Sequence, residues 1–325
     1  MFKYRFHNRK QTIVRKVIFV CGTSYSGTTF FDMILANDPV GFSCGEIHAL
    51  FHPYRPHHFN PECGCGDSDC NLWAEVLKGG KENVYDTIFE LMPNIKFIVD
   101  SSKNPFWISY QSGILQKKKY SIKNILIWKT PLELAHSFDK RGRLKDWEKS
   151  WINYHRLFFT LINDWHSIKY YDLINKKVAL KNVCNYLEIP YFSGKKKYWQ
   201  KNDYHTLFGN TSAKIHLFSH DKYHFQEAES ELTKTTGTDH KKINEKLKKI
   251  YYENANKNLM NYVNEKMAAN TKFLCIENEL ARKDLVVNRN TESCIKQSEL
   301  SKLKYSKSME LLKFIKYEYL MKYSH

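Results

Sequence analysis

A glycine loop between a strand-like run and a helix-like run constrains the fold of this chain most. Residues 16–21 (KVIFVC) are apolar and predict a buried strand, and residues 28–36 (TTFFDMILA) predict a helix. Gly22 and Gly27 lie between them at the spacing of the phosphate-binding loop GxxxxGK(S/T), whose last hydroxyl residue is matched by Thr29. A loop of this kind turns backbone N–H groups and a helix N-terminus towards an anion. The stretch therefore predicts an anion site, with a tight connection that binds no ligand as the alternative.

The loop lacks the lysine with which such motifs hold the β- and γ-phosphates of ATP, because Thr28 stands in its place. Phosphoryl transfer from ATP relies on this lysine together with Mg²⁺. A sulfuryl group carries less charge than a terminal phosphate, so a hydroxyl-rich loop suffices to bind it without a metal ion. The sequence therefore favours a phosphosulfate donor, and every residue of the loop is predicted to bind it: Gly22, Thr23, Ser24, Tyr25, Ser26, Gly27, Thr28 and Thr29.

Short apolar runs alternate with helical patterns beyond this loop. Residues 40–44, 95–99, 124–128 and 167–171 predict four further strands. This alternation is typical of βαβ units around a parallel sheet. We therefore predict an α/β protein with a P-loop-like three-layer fold, in which helices flank a central parallel sheet.

The length of 325 residues is enough for one large core, or for one core with an appended helical segment. We predict an α/β domain over residues 1–280 and a basic helical C-terminal extension over residues 281–325. No run reaches about twenty apolar residues, and the basic N-terminus has no apolar segment before a cleavage site. We therefore expect a cytoplasmic protein without a transmembrane segment.

The formal net charge of +17 is compatible with nucleic-acid binding. The lysines, however, are scattered over the whole chain, and the aromatic residues lie in apolar periodic segments without interleaved basic residues. A positive field attracts an anionic small molecule or glycan equally well. We therefore predict a nucleotide sulfate donor and a small-molecule or glycan acceptor as partners, and no nucleic acid.

Three of the eight cysteines form a cluster, Cys63, Cys65 and Cys70, in a loop rich in proline, histidine and glycine. Their C-x-C-x4-C spacing is not a usual zinc pattern. A disulfide with one free thiol, or three reduced thiols, is therefore at least as consistent with the sequence as a zinc site. A zinc site would take its fourth ligand from one of three residues: His57, His58 or Cys44. We predict no metal requirement for the reaction.

Several segments match, in order, the motifs of a known enzyme family. Residues 22–29 (GTSYSGTT) are similar to its 5′-phosphosulfate loop, and residues 44–46 (CGE) to the GE element that follows its second strand. Residues 128–142 (WKTPLELAHSFDKRG) look like its 3′-phosphate element, RDPRxxxxSxxxRG. Weaker likenesses follow at residues 63–73, 100–103, 170–190 and 205–214. Over roughly residues 16–215 the chain thus resembles the sulfotransferases that use 3′-phosphoadenosine 5′-phosphosulfate (PAPS), in the branch of bacterial, carbohydrate and tyrosylprotein sulfotransferases.

This resemblance implies roles for residues outside the glycine loop. Lys129 and Ser137 occupy the places that hold the 3′-phosphate of the donor, and Arg141 is a candidate third ligand. Glu46 is implied as the general base, and His48 competes for that role because its unperturbed pKa is nearer neutral. In this sequence, Tyr25 replaces the basic residue of the family's loop, and Lys129 replaces an arginine. The charge on the transferring group must then come from elsewhere, and Lys103 at a predicted strand end is our candidate.

The predicted function is a PAPS-dependent sulfotransferase. It would move a sulfuryl group to a hydroxyl or amine of an unidentified acceptor, a carbohydrate or other small molecule, by in-line displacement with a general base. One alternative is a P-loop small-molecule kinase that uses ATP with Mg²⁺ bound by Asp100, at the end of an apolar strand. The other is a non-catalytic nucleotide-binding homologue.

Overall fold

A five-stranded parallel sheet forms the centre of the protein. The computed structural model describes residues 14–201, 203–218 and 257–286. The strand order is β2-β3-β1-β4-β5, and every neighbouring pair is parallel. The strands are β1 (Lys16–Cys21), β2 (Gly41–Gly45), β3 (Phe97–Asp100), β4 (Ser121–Trp128) and β5 (His166–Lys169).

Helices connect the parallel strands and cover both faces of the sheet. The α-helices of the described residues are α1 (Thr28–Ala36), α2 (His48–Phe51), α3 (Leu72–Gly79), α4 (Val84–Leu91), α5 (Pro105–Lys117), α6 (Pro131–Asp139), α7 (Trp147–Leu161), α8 (Tyr170–Asn175), α9 (Lys177–Leu187), α10 (Thr211–Phe218), α11 (Lys257–Ala268) and α12 (Lys272–Arg282). Short 3₁₀ turns occur at Pro56–His58, Leu144–Asp146 and Tyr198–Gln200.

The sheet is buried on both faces, so the fold has three layers. Successive side chains of a strand point to opposite faces, and β1 follows this rule. Val17 and Phe19 join the core under α3 to α7, whereas Ile18 and Val20 join the core under α1, α8 and α9. The predicted P-loop-like α/β fold with a central parallel sheet is thereby confirmed.

The carboxyl ends of the five strands meet at one edge of the sheet. Ligands of open α/β sheets bind in the crevice outside this edge. The glycine loop follows β1, and Glu46 follows β2 directly. Lys103 lies three residues after β3, and Lys129 comes directly after β4. The residues proposed from the sequence therefore start from neighbouring strand ends.

The C-terminal part of the described chain packs against β5 without a break at residue 280. α12 runs across that position, and the backbone N–H of Lys169 donates to the Asp284 carboxylate at 3.1 Å. Residues 287–325 lie outside the described residues, so the basic helical extension stays a prediction. In the part of the chain that the structure describes, no helix combines the length and apolar character that crossing a bilayer requires.

Candidate functional site

The glycine loop and the strand ends beside it open onto a cleft of about 870 Å³. Many of the residues proposed from the sequence line it: Ser24, Tyr25, Gly27, Thr28, Thr29, Glu46, Lys103, Lys129, Ser137 and Arg141. Four others, Gly22, Thr23, Ser26 and His48, are not part of its lining. Two further segments complete the walls, one at residues 54–62 and one at residues 208–214.

The glycine loop is held in shape by contacts that only glycine permits. Gly27 has a φ of 100°, and a Cβ at this position would lie 2.6 Å from the ring of Tyr170. The Ser26 hydroxyl donates to the Thr23 carbonyl at 2.8 Å and closes the turn. α1 begins at Thr28, and the first N–H groups of a helix have no acceptor within the helix. The loop therefore presents a helix N-terminus to the cleft, which suits an anion.

A later segment of the chain closes over the glycine loop. The backbone N–H of Asn210 donates to the Thr29 hydroxyl at 3.0 Å. Gly209 has a φ of 85°, and a Cβ there would lie 2.9 Å from the same hydroxyl. The Thr29 side chain is thus both a lining residue and the contact between the loop and residues 208–210.

A lysine and a serine form a polar pair beside the loop. Lys129 Nζ donates to the Ser137 hydroxyl at 3.1 Å, and that hydroxyl donates to the Glu133 carbonyl at 2.9 Å. The Lys129 ammonium also lies 4.5 Å from the ring centroid of Tyr170, within cation–π range. Burial lowers the pKa of Lys129 to about 8. A negatively charged group bound here would reverse this shift, because it favours the charged ammonium.

The turn before Ser137 is fixed by a capping box at the start of α6. The Thr130 hydroxyl accepts from the backbone N–H of Glu133 at 3.3 Å, and the Glu133 carboxylate accepts from the backbone N–H of Thr130 at 2.7 Å. Pro131 occupies the first helical position, where its missing N–H costs nothing. The cap therefore sets the direction in which α6 leaves Lys129 and carries Ser137.

We expect Thr130→Ala to lower the free energy of unfolding by about 1 kcal/mol, because an N-cap threonine satisfies a helix N–H that alanine leaves unpaired. Urea denaturation followed by circular dichroism measures this loss. The matched control is Thr160→Ala on α7, whose hydroxyl donates to the Arg156 carbonyl and caps no helix start. A change there should stay within about 0.5 kcal/mol. Equal effects of the two variants would contradict the capping role.

Tyr25, which stands where the resembled family has a basic residue, draws an arginine to the loop. The Arg141 guanidinium lies 4.2 Å from the Tyr25 ring centroid and donates to the Ser137 carbonyl at 2.7 Å. The Tyr25 ring also packs edge-on against Phe138 with 5.0 Å between centroids. Guanidinium groups commonly stack on aromatic rings in this way. Positive charge is thereby restored next to the loop from the turn that follows α6, although the loop itself carries none.

Glu46 and Lys103 form an ion pair at the edge of the cleft. The Lys103 ammonium donates to the Glu46 carboxylate, and their side chains are 19% and 13% exposed. The backbone N–H of Glu46 donates to the Leu207 carbonyl at 3.0 Å, which fixes the backbone of Glu46. Lys103 has a φ of 63°, a conformation that is uncommon for a residue other than glycine. Strained backbone of this kind concentrates at functional sites.

His48, the second candidate for the base, is buried beneath this edge. Its ring lies 5.5 Å from Trp107 and 5.0 Å from His52 between centroids. Burial, assisted by the charges of His52 and His58, lowers the pKa of His48 to about 3. Glu46 therefore lines the cleft, whereas His48 is buried and does not.

Asp100, which the kinase alternative needs for Mg²⁺, is also buried. Its carboxylate accepts from the Tyr85 hydroxyl at 2.7 Å, the Trp107 indole N–H at 3.0 Å and the Ser102 backbone N–H at 2.7 Å. Asp100 does not line the cleft. These three donors hold the carboxylate in the interior of the protein.

The three clustered cysteines meet a histidine that the sequence did not single out as their partner. Cys63, Cys65 and Cys70 have no disulfide and surround His205. The fourth ligands considered from the sequence lie elsewhere. Cys44 is buried and its thiol donates to the Val99 carbonyl, while His57 and His58 pack on Phe208. His205 follows Cys70 by 135 residues, a separation that no local motif links.

Comparison with known proteins gives no assignment by sequence. No family model matches the chain, and no curated protein matches it. Among solved structures, the sulfotransferase domain of the olefin synthase from Synechococcus PCC 7002 is 18% identical with a TM-score of 0.38, over 66% of this chain and 83% of that one.

Two further solved structures are similar at lower values. A sulfotransferase from Alicyclobacillus acidocaldarius is 11% identical with a TM-score of 0.34, over 67% of this chain and 94% of its own. A chain of the PezAT toxin–antitoxin system of Streptococcus pneumoniae is 12% identical with a TM-score of 0.27, over 60% of this chain and 87% of its own. At these values the similarities say nothing about the activity of the chain.

Proposed function

We propose that this protein transfers a sulfuryl group from PAPS to a hydroxyl group of a carbohydrate or other small acceptor. The observation that carries the proposal is that three sets of residues share one cleft: the lysine-free glycine loop, the Lys129–Ser137 pair and the Glu46–Lys103 pair. PAPS carries a 3′-phosphate and a 5′-phosphosulfate, so it needs two anion sites. An acceptor hydroxyl needs a base. The cleft offers candidates for all three.

In this proposal the loop binds the 5′-phosphosulfate end of the donor. The N-terminus of α1 and the hydroxyls of Thr28 and Thr29 provide donors for phosphate and sulfonate oxygens. Lys129, with Ser137, binds the 3′-phosphate through charge-assisted hydrogen bonds, and Arg141 adds charge from the turn after α6. The Ser26 hydroxyl donates to the Thr23 carbonyl, so in this proposal Ser26 supports binding by maintaining the shape of the loop.

The transfer step is an in-line displacement at sulfur. The acceptor oxygen forms a bond to sulfur while the bond from sulfur to the bridging phosphate oxygen breaks, and adenosine 3′,5′-bisphosphate (PAP) leaves. The acceptor proton passes to the Glu46 carboxylate, which acts as general base. Lys103 orients Glu46 in the free enzyme and places a positive charge near the transferred group.

Stabilisation by nucleotides distinguishes this proposal from a kinase. A ligand at 100 times its Kd adds about 2.7 kcal/mol to stability, and each kcal/mol raises the Tm of a chain of this size by about 1.5 °C. We therefore expect saturating PAP to raise the Tm by about 4 °C and ATP with Mg²⁺ to change it by less than about 1 °C. AMP, which lacks the 3′-phosphate, is the matched ligand control and should act weakly. A larger shift with ATP and Mg²⁺ than with PAP would overturn the proposal.

A further inference from the structure

We propose that Cys63, Cys65, Cys70 and His205 bind one structural Zn²⁺ ion. The four candidate ligand atoms all lie within 4.8 Å of one another. Three thiolates with one imidazole are a ligand set that Zn²⁺ uses in structural sites, where four protein ligands leave no open position. This inference is independent of the proposed sulfuryl transfer, since none of the four residues lines the cleft.

The distances within the cluster fit a tetrahedral ion. Cys63 Sγ lies 3.3 Å from Cys65 Sγ and 3.3 Å from His205 Nδ1, and Cys70 Sγ lies 3.5 Å from the same nitrogen. Zinc–sulfur and zinc–nitrogen bonds of ordinary length in a tetrahedron separate neighbouring ligand atoms by about 3.5–3.8 Å. These three separations lie within about half an ångström of the tetrahedral values, and the remaining pairs of ligand atoms lie within 4.8 Å.

The cysteine loop is shaped to bring its sulfurs to one point. The backbone N–H of Gly66 donates to the Cys63 carbonyl at 3.1 Å, and that of Cys70 donates to the Asp67 carbonyl at 3.3 Å. Gly66 has a φ of 72°, which allows the chain to reverse between Cys65 and Cys70. Two consecutive turns thus give three thiols a common direction that the linear spacing does not reveal.

The histidine is also held in place before any metal binds. The backbone N–H of Gly64 donates to the Thr206 carbonyl at 3.0 Å, directly after His205. The His205 ring lies parallel to Phe42, with an interplanar angle of 15° and 6.3 Å between centroids. These two contacts limit the positions that the His205 ring can take.

The ion would connect two segments that each contribute residues to the cleft wall and already contact one another. One is the loop at residues 54–70, and the other is the segment at residues 205–210. The second segment contacts both working regions of the cleft: Leu207 accepts from the Glu46 backbone N–H, and Asn210 donates to the Thr29 hydroxyl. Zinc would therefore stabilise the wall that positions Glu46 and the glycine loop, while taking no part in the chemistry.

Metal content tests the assignment on the full chain. After expression with added zinc and purification without chelators, inductively coupled plasma mass spectrometry should find about one zinc per chain. Cys70→Ser and His205→Ala should reduce zinc at least tenfold. His205→Cys should retain it, because four thiolates are also a structural zinc set. Cys275→Ser on α12 is the matched control, since Cys275 lies outside the cluster, and it should keep the full zinc content.

Replacement of the metal by Co²⁺ supplies a second readout, which uses only the wild-type protein and so does not depend on the folding of a variant. Tetrahedral thiolate-bound Co²⁺ gives strong visible absorption and a sulfur-to-cobalt charge-transfer band, which the wild-type chain should show with one Co²⁺ bound. A wild-type chain with less than about a tenth of a zinc per molecule and no such spectrum would overturn the proposal. So would a Cys70→Ser chain that keeps its zinc. Neither result depends on PAP binding or turnover, so this test and the test of the proposed function fail separately.

Discussion

Replacing Glu46 by glutamine should lower the turnover of PAPS with a hydroxyl acceptor by about 10²- to 10⁴-fold, the usual contribution of a general base. Glutamine has the size of glutamate and can still accept a hydrogen bond from Lys103, but it cannot take the acceptor proton. Glu46 lines the cleft next to the glycine loop, whereas His48 is buried behind it. Release of PAP from PAPS, measured with the fastest acceptor of a panel of sugars, phenols and tyrosyl peptides, gives the rate.

A second carboxylate of the same cleft provides the control for this variant. Glu62 also lines the cleft but is exposed and belongs to the segment at residues 54–62. Glu62→Gln should leave turnover within about threefold of wild type, as expected for a residue outside the transition state. PAP should still raise the Tm of Glu46→Gln by the wild-type amount, because the base does not contact the donor product. If Glu46→Gln kept more than a third of the wild-type rate, Glu46 would not be the general base.

The parts of the fold with strong local signals were predictable from sequence. β1 and α1 have the predicted limits, because apolar runs, glycines and the following Pro39 mark their ends. The strand predicted at residues 167–171 was too long. β5 ends at Lys169, and Tyr170 is already the first residue of α8. Tyrosine is common in strands, but this preference depends on context and does not prevent Tyr170 and Tyr171 from being helical.

One long helix, α5, was not predicted although its start carries a recognisable signal. Asn104 precedes Pro105, and the Asn104 side chain accepts from the backbone N–H groups of Phe106 and Trp107. An asparagine cap followed by proline at the first helical position is a known helix start. The sequence that follows is only weakly amphipathic, so hydrophobic periodicity alone does not predict this helix.

The site was predictable where it depends on strand ends and unpredictable where it depends on distant loops. In a parallel sheet the carboxyl ends of the strands share one edge, so the glycine loop, Glu46 and Lys129 meet once the strands are known. His205 lies beside the cysteines where the backbone N–H of Gly64 donates to the Thr206 carbonyl, a contact between segments far apart in the chain. Arg141 likewise reaches the loop by stacking on Tyr25. Neither contact leaves a periodic signal in the sequence.

Replacing Lys129 by methionine should weaken PAP binding by about 10- to 100-fold. A hydrogen bond between charged groups contributes about 1.5–3 kcal/mol, and each 1.4 kcal/mol is a factor of about ten in Kd. Methionine keeps an unbranched, flexible chain beside Tyr170 and removes the ammonium that Ser137 orients. Isothermal titration with PAP at pH 7.5 measures the loss. Lys140 also lines the cleft but is exposed, so Lys140→Met should change Kd by less than about threefold.

The pH dependence of PAP binding tests the same ammonium. The pKa of Lys129 in the free protein is lowered to about 8 by burial, and a bound 3′-phosphate raises it because the anion favours the charged form. PAP binding therefore takes up a proton above pH 8, and affinity should fall as the pH rises from 7.5 to 9.5. The second phosphate ionisation, with a pKa of about 6, is complete over this range and adds no slope. In Lys129→Met the decline should disappear, and a decline that persists in this variant would place the titrating group elsewhere.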